Sequence, residues 1–253
     1  MQHRIVSEEE WLKARKEHLA KEKELTRQLD RLRAERRELP WTKVVKPYVF
    51  HGRSGPQALS DLFDGRSQLI VQHFMFGPGW QEGCVGCSFG ADHVDAALVH
   101  LENHDVSFVA VSRAPLAEIE AFRQRMGWRF RWVSSNGSDF NYDYHVSFHK
   151  DEIANGKIYY NYVLAEIDSD ELPGLSVFYR DGGGEVFHTY STYARGGELL
   201  AGAYNFLDLT PKGRDENGPA FNLTDWVRHH DRYGETTGAQ RCADPAPATL
   251  QRS

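Results

Sequence analysis

Apolar residues are sparse over the first 40 positions and become dense only beyond them. Ser7 followed by Glu10 is a capping-box signature and Pro40 supplies a stop, so the pattern predicts a helix over residues 7–39. A thin leucine stripe with seven-residue spacing changes phase along this helix, at Leu12, Leu19, Leu25, Leu32 and Leu39. We interpret residues 1–40 as a helical arm that contributes to a homodimer. A solvated helix lying across its own domain is the alternative, and the stripe is too thin for a sustained coiled coil.

Beyond the arm, apolar runs typical of buried strands alternate with helical periodicity. Residues 68–76 form the first run, and a helical face of Val94, Ala97, Leu98 and Leu101 follows it. Residues 106–111 predict a second strand, 116–126 a second helix and 129–133 a third strand. This order of strands and helices is typical of a parallel α/β core.

The second half of the chain has a different pattern. Residues 134–172 are polar and irregular, and we interpret them as an insertion with one strand at 158–163. Two apolar runs at 175–179 and 185–190 flank a glycine-rich turn, which predicts a β-hairpin, and a final helix is expected to end near residue 206. The stretch 41–50 is strand-like. Residues 235–253 are expected to be a disordered tail, which leaves 41–234 as one domain.

Composition excludes several functional classes. The net charge of −6 in 253 residues argues against a nucleic-acid-binding surface, and no apolar run is long enough to span a membrane. Three cysteines do not make a disulfide framework. We therefore expect a cytoplasmic protein that binds neither nucleic acid nor membrane.

Cys84 and Cys87 form a Cys-x-x-Cys motif between the first predicted strand and its helix. A thiol at the start of a helix lies beside unsatisfied N–H groups and the positive end of the dipole, which favour thiolate. The spacing lets the second sulfur resolve a mixed disulfide formed on the first. A metal half-site completed by His93 and one of His145, His149 or His188 is an alternative, but zinc needs four ligands. We expect no metal and no cofactor.

Several segments resemble a known bacterial family. They are 76–80 (Phe-Gly-Pro-Gly-Trp), 84–88 (Cys-Val-Gly-Cys-Ser), 176–182 (Ser-Val-Phe-Tyr-Arg-Asp-Gly) and 185–196 (Glu-Val-Phe-His-Thr-Tyr-Ser-Thr-Tyr-Ala-Arg-Gly). The family is thioredoxin-like, of undefined physiological role, related to peroxiredoxin-like proteins and described as dithiol–disulfide oxidoreductases. The resemblance covers residues 7–234. It implies an α/β thioredoxin-like fold: a central mixed sheet flanked by helices, a long N-terminal helix, and an insertion before the C-terminal hairpin.

The resemblance also implies roles for individual residues. Cys84 corresponds to the nucleophile of thioredoxins and Cys87 to the resolving cysteine. Gln72 stands where thioredoxins have a buried acid, so His73 and Glu82 are the candidates for proton transfer. For His73 we favour the alternative that it packs or hydrogen-bonds inside the sheet. Gly174 stands at the cis-proline position with Pro173 one residue earlier, and whether Pro173 is cis is left open. Trp80 is expected to offer an apolar contact surface to substrate.

Thiol–disulfide exchange is the function that these residues predict. The partner would be a disulfide-containing protein or a small thiol compound, with an unidentified electron donor. A peroxiredoxin-like peroxidase is an alternative, although Pro78 and Gln81 depart from the Pro-x-x-x-Thr/Ser-x-x-Cys pattern. A non-catalytic binding module that uses the arm and the insertion is another.

Three further features stay open at this point. The insertion tyrosines Tyr142, Tyr144, Tyr159, Tyr160 and Tyr162 either line a ligand pocket or serve packing alone. His229 and His230 either reach the cysteines or lie on the surface. Cys242 is a third redox cysteine only if the tail reaches the site.

Overall fold

The computed structural model describes residues 3–216 and 226–234, and the chain divides into two units, Met1–Trp41 and Thr42–Ser253. The first unit consists mainly of helix α1 (Glu8–Arg37), as the sequence predicts. The Ser7 hydroxyl accepts a hydrogen bond from the Glu10 N–H at 3.2 Å and caps the helix. Acidic residues in the first turn and basic residues in the last complement the helix dipole.

The second unit is built on a mixed eight-stranded sheet. Its strands are β1 (Thr42–Lys43), β2 (Val49–Gly52), β3 (Gly55–Ala58), β4 (Gln68–His73), β5 (Val106–Ser112), β6 (Arg131–Ser134), β9 (Gly174–Arg180) and β10 (Val186–Tyr193), and a separate hairpin pairs β7 (Ile158–Tyr160) with β8 (Val163–Ala165). The strand order is β1-β10-β9-β4-β5-β6-β2-β3. Strands β4, β5 and β6 are parallel, and the other pairs are antiparallel. This is the predicted thioredoxin-like arrangement.

Helices connect the strands and cover the sheet. They are α2 (Val85–Asn103), α3 (Leu116–Arg125), α4 (Phe140–Asp143), α5 (Lys150–Ala154) and α6 (Gly202–Leu207), with 3₁₀ turns at Leu59–Phe63, Ala194–Leu200 and His230–Arg232. Helices α2 and α3 pack on one sheet face with Phe74 and Phe76. The opposite face buries Phe50, Phe140 and Phe178. No described helix is long and apolar enough to cross a membrane.

Three details of the sequence prediction are wrong. The strand expected over 41–50 is split into β1 and β2 around Pro47, because proline cannot donate a hydrogen bond to a sheet. The single strand expected over 158–163 is a hairpin that turns at Asn161 and Tyr162. The final helix is divided into a 3₁₀ turn and α6. The expected tail, 235–253, lies outside the described residues.

Candidate functional site

The loop between β4 and α2 brings Cys84 to the start of a helix. The residue after β4 still bonds to β5, because Phe74 N–H donates to Val111 O at 2.9 Å. The N–H of Cys84 then donates to Met75 O at 3.0 Å, so the loop folds back on itself. Cys84 becomes the N-cap residue of α2. The order of strand, loop, Cys-x-x-Cys and helix is the one that the sequence predicts.

The two cysteines differ in accessibility. Cys84 is half-buried, whereas Cys87, one turn into α2, is 6% exposed. The Sγ of Cys87 accepts a hydrogen bond from Met75 N–H at 3.5 Å. Ser88 secures the first turn, because its N–H and its hydroxyl both donate to Cys84 O, at 2.9 and 2.8 Å. An external molecule therefore reaches Cys84 more easily than Cys87.

Gln72 lies directly beneath the first turn of α2. Its side chain is buried, and Nε2 donates to Cys87 O at 3.1 Å. Its Oε1 has no hydrogen-bond partner among the described residues. Gln72 thus supports the first turn of α2, and its amide cannot exchange a proton as a carboxyl group does.

His73 is not brought to the cysteines. Neighbouring residues on a strand point to opposite faces, and His73 stacks on Phe140 and Tyr144 in the core away from α2, with ring centroids 5.4 and 5.8 Å apart. Its Nε2 lies 2.8 Å from the Ser176 hydroxyl. Burial, reinforced by repulsion from His188 when that ring is protonated, lowers the pKa of His73 to about 3. The ring is neutral and embedded in the core, so it does not carry protons to the sulfurs.

We expect His73 to make the folded protein sensitive to mild acid. The pKa of His73 in the folded protein lies below its ordinary value of 6.5. As pH falls below 6.5, the unfolded chain is therefore protonated at this residue while the folded chain is not. The contribution of His73 to the free energy of unfolding is present above pH 6.5 and is lost as pH falls. The free energy of unfolding should decrease by about 2 kcal/mol between roughly pH 7 and pH 5 for this reason. Denaturant unfolding at both pH values should show this loss, and His73→Phe should reduce it. His188 and His229, whose pKa values are also lowered by burial, leave a residual dependence. An equal loss in the variant would contradict the assignment.

Glu82 anchors the cysteine loop through ion pairs. Its carboxylate contacts Arg125 and Arg232, and its Oε2 lies 3.5 Å from Nδ1 of His229. Burial alone would raise the pKa of Glu82, but the hydrogen bond from Arg125 and the charges of its basic neighbours outweigh burial and lower it. Glu82 therefore stays ionised and tied to these partners, which suits an anchor better than a proton carrier.

His229 reaches the cysteine loop from the C-terminal part of the chain. It is 4% exposed, and its Nε2 donates to Gly83 O at 3.0 Å, next to Cys84. Burial lowers the pKa of His229, so the ring is neutral near pH 7. The adjacent His230 instead bonds Asp92 at 2.7 Å. The sequence left the position of His229 open because no spacing indicates a contact between residues so far apart.

Pro173 and Gly174 flank the end of β4, but no cis-proline lies there. No cis peptide bond occurs in the part of the chain that the structure describes, so Pro173 is trans. Gly174 pairs with His73, and a Cβ at Gly174 would lie 2.9 Å from atoms of Tyr193 and Val146. This close packing explains why glycine, rather than proline, occupies the position.

Tyr160, from the inserted hairpin, ties the insertion to the segments on either side of the β9–β10 hairpin. Its hydroxyl donates to Pro173 O at 2.8 Å and accepts from Ala194 N–H at 2.9 Å. Burial raises its pKa foremost, and the charge of Cys87 adds to the shift. The hydroxyl of Tyr160 is therefore neutral and joins Pro173 to Ala194, a role that its sequence position did not indicate.

A cavity of about 420 Å³ adjoins the cysteine loop. Residues of the loop and of α3 line it: Phe76, Gly79, Trp80, Gln81, Glu118, Ala121, Phe122 and Arg125. Trp80 is half-buried and packs against the core beneath α2. The apolar surface of Trp80 is thus part of the wall of this cleft.

Residues 1–233 match the sequence profile of a family described as "Bacterial protein of unknown function (DUF899)". The chain belongs to this family. The match agrees with the resemblance to a bacterial family of undefined role. No curated protein matches the sequence.

The solved structures to which this chain is similar include peroxiredoxins. Peroxidoxin BcpB from Mycobacterium tuberculosis is 13% identical with a TM-score of 0.43, over 65% of this chain and 97% of that one. A PrxQ mutant from Xylella fastidiosa is 12% identical with a TM-score of 0.41, over 66% and 94%. The mitochondrial 2-Cys peroxiredoxin from Plasmodium falciparum is 15% identical with a TM-score of 0.40, over 66% and 94%. Likenesses this low support no inference about activity.

The described residues of this DUF899 chain offer no set of ligands for the metal half-site considered as an alternative. Among the described residues, no group of three or more His, Cys, Asp or Glu side chains is placed to hold a metal ion. Both ring nitrogens of His93 are engaged: Nδ1 donates to Phe89 O at 2.7 Å, and Nε2 accepts from Ala203 N–H at 2.9 Å. Cys242 lies outside the described residues.

Proposed function

We propose that this protein is a thiol–disulfide oxidoreductase. The observation that supports the proposal most strongly is the placement of a half-buried Cys84 at the start of α2, with Cys87 buried one turn behind it. The helix N-terminus favours an anionic sulfur at Cys84. Substrate is expected to approach past Trp80, in the cleft beside the loop.

The reaction proceeds in two exchanges. The Cys84 thiolate attacks one sulfur of a substrate disulfide, whose S–S bond breaks and releases one substrate thiolate, which takes a proton from water. Cys87 then gives up its thiol proton to water, and its sulfur attacks Sγ of Cys84. The mixed disulfide breaks, and the second substrate thiolate leaves and takes a proton from water. Two electrons pass to the substrate, and the protein is left with a Cys84–Cys87 disulfide. An external dithiol or another electron donor returns it to the reduced state.

The cytoplasm is the compartment that suits this direction of exchange, because its thiol pool keeps such a pair reduced. The substrate class is a disulfide-containing protein or a small disulfide. His229 and Glu82 support the proposed role by fixing the backbone immediately before Cys84.

Paired turnover assays test the proposal. Wild type is expected to reduce insulin disulfides in the presence of dithiothreitol, and Cys84→Ser is expected to fall to the uncatalysed rate. Cys242→Ser, which removes the remaining cysteine, should behave as wild type. Peroxide consumption that depends on Cys84 would instead favour the peroxidase. Absence of both activities, with partner binding retained in Cys84→Ser, would favour a binding module.

We also propose that α1 mediates a homodimer. Leu25 and Leu32 are 57% and 51% exposed, and α1 buries none of its residues within the chain. Light scattering is expected to give twice the mass of one chain for wild type. For a Leu25→Glu/Leu32→Glu variant, it is expected to give the mass of one chain. Lys23→Glu, which lies off the leucine stripe, serves as the control and should stay dimeric. A monomeric wild type would refute this arrangement.

A further inference from the structure

A second cavity, of about 400 Å³, lies on the sheet face opposite α2. Aromatic rings form most of its wall, including Tyr48, Tyr144, Tyr159, Tyr162, Tyr193 and His188. Tyr48, Tyr144 and Tyr193 are buried and form its floor, whereas Tyr159 and Tyr162 are exposed at its rim. A volume of this size suits a small organic molecule. Neither cysteine lines it.

Three of the seven described non-glycine residues with positive φ lie at or next to this cavity. Asn161 and Tyr162 form the two-residue turn between β7 and β8 with φ of 50° and 65°, a turn that usually has glycine second. The tyrosine that replaces glycine contributes its ring to the cavity wall, and its hydroxyl donates to Ser191 O at 2.9 Å. His145, with φ of 53°, lines the same cavity. Non-glycine residues held in left-handed conformations occur preferentially at functional sites.

His188 offers a hydrogen-bond acceptor at the wall. Its Nε2 lies 3.1 Å from Tyr190 O, and since a carbonyl only accepts, we assign the proton to Nε2, which shares it between Tyr190 O and the Ser191 hydroxyl. Burial lowers the pKa of His188, so the ring is neutral and its Nδ1 is left as an acceptor. The hydroxyl of Ser191, 2.7 Å from Nε2, fixes the ring. It is itself joined to the Ser176 hydroxyl at 2.8 Å, and through it to His73.

The charged groups that line the cavity already have partners: Lys43 contacts Glu185, and Lys46 and Asp143 contact each other. The carboxylate of Asp143 accepts hydrogen bonds from the Tyr48 hydroxyl at 2.8 Å and from the Lys46 ammonium at 2.6 Å. Lys46 also pairs with Asp139 at 2.9 Å. A charged ligand would have to disrupt these pairs, whereas an uncharged ring would stack on the tyrosines and leave them intact.

We propose that this cavity binds a small uncharged aromatic molecule bearing a hydroxyl or a ring N–H, with its ring among the tyrosines and its donor bonded to Nδ1 of His188. The site is separate from the cysteine centre, and its occupancy does not depend on thiol chemistry. Wild type and Cys84→Ser should therefore bind such a molecule equally.

Calorimetry and ligand-observed NMR with small probes test the proposal. Phenol and indole are expected to bind. Toluene lacks the donor and cyclohexanol lacks the aromatic ring, so each should bind about tenfold more weakly than phenol. Failure of both phenol and indole to bind wild type at millimolar concentration would overturn the proposal.

Two variants separate binding from folding. Tyr162→Gly removes the ring and also relieves the left-handed backbone, so the fold should persist while phenol binds about tenfold more weakly. His188→Phe keeps a ring but removes the acceptor, so the preference for phenol over toluene should disappear.

Tyr233→Ala, at an exposed tyrosine outside the cavity, is the control and should bind as wild type. Thermal unfolding verifies that each variant is folded. Unchanged phenol affinity in both cavity variants would refute the assignment.

Discussion

In a Cys87→Ser variant, the reaction is expected to stop after the first exchange, with substrate held on Cys84 as a mixed disulfide. Cys87 lies one helical turn behind Cys84 and supplies the second thiolate, so its loss removes the internal route of release. Turnover of insulin reduction should fall on the order of 1,000-fold, while the first substrate thiol is still released once per chain.

Intact-mass analysis after incubation with glutathione disulfide detects the trapped species. The variant should gain the mass of one glutathione, and peptide mapping should place it on Cys84. Cys242→Ser serves as the control and should turn over as wild type does. A Cys87→Ser variant that turns over at the wild-type rate would show that Cys87 does not resolve the intermediate.

Gly83→Ala is expected to destabilise the protein by about 1–3 kcal/mol and to displace Cys84. A Cβ at Gly83 would lie 2.6 Å from the ring of Phe74 and 2.8 Å from that of Phe122. Both rings are buried in the core beneath α2, so neither can move without disturbing its neighbours. Because Gly83 immediately precedes the cysteine, activity should fall together with stability.

Gly90→Ala is the matched control for this prediction. It makes the same chemical change seven positions further on, inside α2, where a new Cβ meets only Nε2 of Gln72 at an ordinary 3.8 Å. Alanine favours a helix over glycine by about 1 kcal/mol, so this variant should be more stable than wild type. Urea unfolding measures both effects. Equal stability changes in the two variants would contradict the packing described around Gly83.

The fold could be predicted because its information is local. The apolar runs that become β4 and β5 and the helical spacing of α2 lie in continuous stretches, and their alternation indicates a parallel core. The Cys-x-x-Cys motif is equally local, since its position at the start of a helix follows from the elements on either side.

The immediate surroundings of the cysteines could not be predicted in the same way. Gln72 and His73 are adjacent, but a central strand is apolar on both faces, so its pattern does not indicate which residue faces α2. The contact of His229 with Gly83 joins positions 146 residues apart. The turn at Asn161 and Tyr162 was missed because its second residue is not glycine, the usual sequence signal.

Alkylation kinetics test most directly whether Cys84 is the reactive thiol of this site. The reduced protein is treated with iodoacetamide at neutral pH, and the modified peptides are quantified over time by mass spectrometry. Cys84 is expected to react first and well ahead of Cys87 and Cys242. Slow labelling of all three cysteines at similar rates, or labelling of Cys87 before Cys84, would contradict the proposed mechanism.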